Sequence, residues 1–91
     1  METMLDILKG RLIEGVQIMK CKERASDYKI VLSKDGLNYD TTLPKSCTPG
    51  MEETLVDKTI YSALSSFALQ QNDIAKTKYW LNKCQQRNTS W

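Results

Sequence analysis

The chain has 91 residues, 41% of them hydrophobic and 26% charged, and its 13 basic side chains against 11 acidic ones leave a net charge of +2. That length limits it to one small domain with a thin core, the composition excludes a disordered chain, and the charge excludes a strong overall field toward nucleic acid or membrane. No apolar run approaches the roughly 18 residues that span a bilayer, and Glu2 and Asp6 stand where a secretory signal carries basic residues, so a cytoplasmic location is expected.

In chain order, Met1, Leu5, Leu8, Leu12, Val16 and Met19 recur at steps of three and four, the single stripe of an amphipathic helix. The spacing predicts a helix within residues 1–26, with Gly10 and Gly15 as its weak points and a strand starting at GVQIMK as the alternative. Tyr28, Ile30 and Leu32, and then Leu37, Tyr39, Thr41 and Leu43, alternate with the period of half-buried strands. Asp35-Gly36 between them tolerates positive φ, so residues 27–43 are predicted to form a two-stranded hairpin.

PKSCTPG breaks both periods and makes a hinge at residues 44–50, with Thr48 as the expected N-cap and Pro49 as the first residue of the next helix. Residues 51–87 read as a helical hairpin interrupted at QQND. Val56, Ile60, Ala63, Leu64 and Phe67 form one apolar face, and Ile74, Thr77, Leu81 and Cys84 form the other. Residues 88–91, ending at Trp91, are a tail. The fold class predicted is α+β in the order α-β-β-α-α.

Histidine is absent, which removes the commonest general base and metal ligand, and the four glycines stand singly rather than in a phosphate-binding loop. No catalytic residue, metal or cofactor is therefore expected. Cys21, Cys47 and Cys84 are odd in number and widely spaced, which predicts free thiols, with Cys47 in an exposed loop open to oxidants.

Two surfaces stand out. On the last helix Lys76, Lys83 and Arg87 fall near one line, with Trp80 just beside it and Lys78 and Tyr79 further round. Such a strip suits either an acidic protein surface or phosphates with a stackable base. A lone hairpin also has free edges, so Tyr28, Ile30, Leu32 and Tyr39 are expected to line an edge where a second copy pairs. The function expected is a small non-enzymatic interaction protein, regulatory or inhibitory and of the size common in phage genomes, which binds a protein and forms a homodimer or higher oligomer. The alternative is a nucleic-acid or nucleotide-binding protein that uses the basic, aromatic helix face.

Overall fold

The computed structural model describes residues 3–13 and 15–88, with side chains as far as Gln85. The elements in order are α1 (Met4–Arg11), β1 (Gln17–Glu23), β2 (Asp27–Lys34), β3 (Leu37–Pro44), α2 (Glu52–Gln70) and α3 (Ile74–Asn88). The class is α+β as expected, but the sheet is a three-stranded antiparallel meander in the order β1-β2-β3.

The difference lies in the first 26 residues. Thr3 and Asp6 close a reciprocal capping box that starts α1, but the helix stops after two turns, where Leu12 takes extended backbone angles. Gly15 at φ +92° then reverses the chain, a conformation that L side chains resist. QIMKCKE becomes β1, because the otherwise open edge of β2 offers its backbone groups a full ladder. Of the predicted stripe, Leu8 and Val16 are buried, whereas Met19 is 58% exposed at a bulge between Ile18 and Lys20. Of the predicted tail 88–91, Asn88 is the last residue of α3, and residues 89–91, like Met1, lie outside the described residues.

The β2–β3 hairpin forms as the Asp-Gly pair predicts, with φ of 53° at Asp35 and 80° at Gly36 in a two-residue loop. Its inner face carries Ile30, Leu32 and Leu43, all at 0% exposure. Those residues pack with Leu8 of α1 and Val56, Ile60, Ala63, Leu64 and Phe67 of α2 in one apolar cluster. Tyr39 joins its edge, with its hydroxyl 2.9 Å from the Ser62 hydroxyl and its ring edge-on to Phe67.

Thr48 and Pro49 do not start α2. The Met51 N–H donates to the Thr48 carbonyl at 3.0 Å around Pro49 and Gly50, the latter at φ +89°, which is a turn of the Pro-Gly kind that delays the helix to Glu52. Asp73 caps α3 by accepting from the Lys76 N–H at 3.0 Å, after Asn72 has turned the chain at φ 59°. α3 then lies antiparallel along α2 but is rotated from the expected face. Thr77, Trp80 and Cys84 turn inward, while Ile74 and Leu81 are 54% and 45% exposed.

Candidate functional site

The rotation of α3 decides what the basic strip becomes. Trp80 is half-buried, and its indole stacks on Tyr61 of α2 at 5.9 Å and 18° while Tyr79 meets it edge-on at 4.9 Å. The Lys83 ammonium sits 5.2 Å from the centroid of the Tyr79 ring. Two hollows adjoin here and share Ile13, Leu64 and Trp80 as walls. The smaller, about 140 Å³, reaches Lys34, Gln71 and Lys76 at the hairpin end, and the larger, about 320 Å³, runs past Tyr61 and Tyr79 to Arg11, Asp57 and Lys83. Together they form a groove with an apolar and aromatic floor and charged ends.

Most of the rim charge is already compensated. Arg11 lies 3.0 Å from Glu53 and 3.9 Å from the buried Asp57, Lys34 lies 2.9 Å from Asp35, and Lys76 approaches Asp73 at 4.0 Å. Among the described residues Lys83 is the one groove cation without a carboxylate within 4.0 Å. The Lys34 hydrogen bond, with Lys76 also nearby, holds the Asp35 carboxyl below its ordinary value.

Of the residues expected here, Lys76, Tyr79, Trp80 and Lys83 come together around the groove. Lys78 does not line it and points to solvent, and the side chain of Arg87 lies outside the described residues. Arg11, Ile13, Asp57 and Tyr61 were not foreseen. Asp57 carried one sequence signal, a carboxylate between Val56 and Ile60 on the apolar stripe of α2, but Ile13 and Arg11 reach the groove only because α1 ends early.

The expected hairpin-edge interface is displaced. β2 is the central strand, with β1 on one side and β3 on the other, so Tyr28, Ile30 and Leu32 border no free edge. Ile30 and Leu32 are fully buried against the helices, and the Tyr28 ring is covered by Lys45 at 5.4 Å. Only Tyr39, on β3, belongs to an edge strand.

All three cysteines are free thiols. Cys47 is half-buried rather than exposed, and desolvation first, then the charge of Glu52, push its thiol above the ordinary value, which suppresses the reactive thiolate. Cys21 is the exposed one. Among the described residues no three Cys, Asp or Glu side chains converge as a metal site, and no described helix is long and apolar enough to cross a membrane. Comparison with protein-family models, with curated proteins and with solved structures finds no match for this chain.

Proposed function

We propose that the chain is a small non-enzymatic interaction module, a cytoplasmic regulatory or inhibitory accessory that binds a protein partner by taking an apolar or aromatic side chain into the groove beside Trp80. The observation that carries this reading is the pairing of an aromatic floor with a rim whose charge is mostly compensated, Lys83 excepted. One face of the Trp80 indole is occupied by Tyr61, and Tyr79 packs against the indole in a T-shaped contact, so Trp80 serves as a groove wall more readily than as an open platform for a base. Arg11, Lys34 and Lys76 already face carboxylates, which leaves little uncompensated charge for a run of phosphates. A half-buried tryptophan flanked by an exposed tyrosine and a cation is the usual composition of an anchor pocket in a protein interface.

The test is selection from a displayed random-peptide library on the wild-type chain, with affinities of the selected peptides re-measured on Tyr79→Ala and Trp80→Ala. Peptides sharing an apolar or aromatic anchor, and weakened about tenfold or more by either change, are expected, since loss of an interface aromatic costs upward of ~1.4 kcal/mol. Tyr79 is 53% exposed, so Tyr79→Ala reports on the groove without disturbing the core. Binding indifferent to both changes would refute the site. Oligonucleotide binding that falls steeply with salt would replace this reading with the nucleic-acid one.

A further inference from the structure

The two outer strands of the sheet are built differently. β1 carries the features that discourage pairing: the bulge after Ile18, and Lys20 and Lys22 along its length. β3, LNYDTTLP, has a continuous register with β2 over all eight residues, no lysine and a single charge at Asp40. Among the described residues it pairs with no strand other than β2.

The hairpin loop fixes which of its backbone groups are open. In a two-residue hairpin the pair flanking the loop, here Lys34 and Leu37, exchanges hydrogen bonds, and alternate pairs follow suit. Leu37, Tyr39, Thr41 and Leu43 thus spend their N–H and C=O groups on β2, while Asn38, Asp40 and Thr42 direct theirs outward and Pro44 offers only a carbonyl. Beside this row, on the helical side of the sheet, lies a trough of about 340 Å³ whose lining includes Tyr39, Thr41, Leu55, Lys58, Ser62 and Cys84. A strand added to β3 satisfies the open groups and closes the trough.

We propose that this strand is β3 of a second copy, paired antiparallel about a two-fold axis through Thr41, which joins the two sheets into one of six strands. The charge selects that register. With the axis at Thr41, Asp40 lies opposite Thr42 of the second copy, Tyr39 lies opposite Leu43 over the trough, and Thr41 meets its own equivalent. With the axis at Asp40, two carboxylates would stand face to face, which is destabilising. The Thr41 register makes about six new backbone hydrogen bonds, four between the Asp40 and Thr42 pairs and two from the Asn38 N–H groups to Pro44 carbonyls. The trough shares no lining residue with the groove at Trp80, so this edge and that groove are independent surfaces.

Light scattering on a sizing column, under reducing conditions and over a dilution series, should give a mass twice the 10.4 kDa of the chain. Thr42→Pro removes an outward N–H and leaves the β2 ladder intact, so it should halve that mass with unchanged circular dichroism. Thr41→Cys should cross-link two copies on mild oxidation well beyond the wild-type background from Cys21, Cys47 and Cys84. Directly opposed residues of a non-hydrogen-bonded pair lie about 4.5 Å apart at Cα, within the reach of a disulfide. If Thr42→Pro loses its circular-dichroism signature, the cross-linking result decides. A wild-type monomer at every concentration, a folded Thr42→Pro that keeps the double mass, or Thr41→Cys cross-linking no faster than wild type would each overturn the proposal. A monomer that takes up a foreign extended peptide at this edge would overturn it in favour of strand addition by a different partner.

Discussion

Ile30→Ala separates the core role of the central strand from an interface role. Ile30 is fully buried, and its cross-strand neighbours on the same face are Cys21 and Thr41, small side chains that cannot fill the space left behind. The change removes three carbons from the core, about 2.4 kcal/mol of transfer free energy at ~0.8 kcal/mol each. Incomplete collapse of the surroundings adds about 1 kcal/mol, for a total of roughly 3 to 4 kcal/mol. A domain of this length has a stability of roughly 5–14 kcal/mol, so the loss is a large fraction of the whole. With a urea m-value of about 1 kcal/mol/M, the midpoint should fall by roughly 3 M at unchanged slope. The assay is urea unfolding followed by circular dichroism, with both proteins at the same concentration so that association does not bias the comparison. A loss below about 1 kcal/mol, accompanied by a change in association state, would show that Ile30 faces a partner and that the three-stranded arrangement is wrong.

Two further outcomes follow from local features. Gly36→Ala places a Cβ at φ +80° in the hairpin loop, where there is open space but strained backbone, and should cost about 1 kcal/mol in thermal or urea unfolding, whereas a neutral result would mean the loop adopts another turn. The Asp27 carboxyl accepts two hydrogen bonds from Arg24, at 2.6 and 2.7 Å, and these hold it below its ordinary 3.8. Its contribution to stability is present above the unfolded-state value and is lost as pH falls through the lower folded value. Carboxyl titration by NMR should therefore place Asp27 below 3.8, and Arg24→Gln should return it toward that value; no movement would show that the pair does not form in solution.

Much of the local structure was legible in the residues themselves. The alternation of Tyr28, Ile30 and Leu32 with the Asp35-Gly36 pair determined the hairpin, because period two and tolerance of positive φ are properties of short stretches. The run from Val56 to Phe67 determined the buried face of α2 for the same reason. The aromatic and basic cluster of α3 was likewise visible, and Lys76, Tyr79, Trp80 and Lys83 do share one groove.

Long-range packing decided the rest. A stripe from Leu5 to Met19 fits a helix on spacing alone and GVQIMK after Gly15 fits a strand as the alternative; the open edge of β2 decided for the strand at residues 17–23, and no local pattern settles that choice. That third strand in turn occupied the edge of β2 where the interface was expected and left β3 as the outer strand with a continuous register. The rotation of α3 also lay beyond periodicity. Ile74 and Leu81 are more hydrophobic than Thr77, but Trp80 and Cys84 on the Thr77 side meet Tyr61 and the backbone of Lys58 on α2, and the fit of a whole ring against a neighbouring helix outweighs two exposed aliphatics.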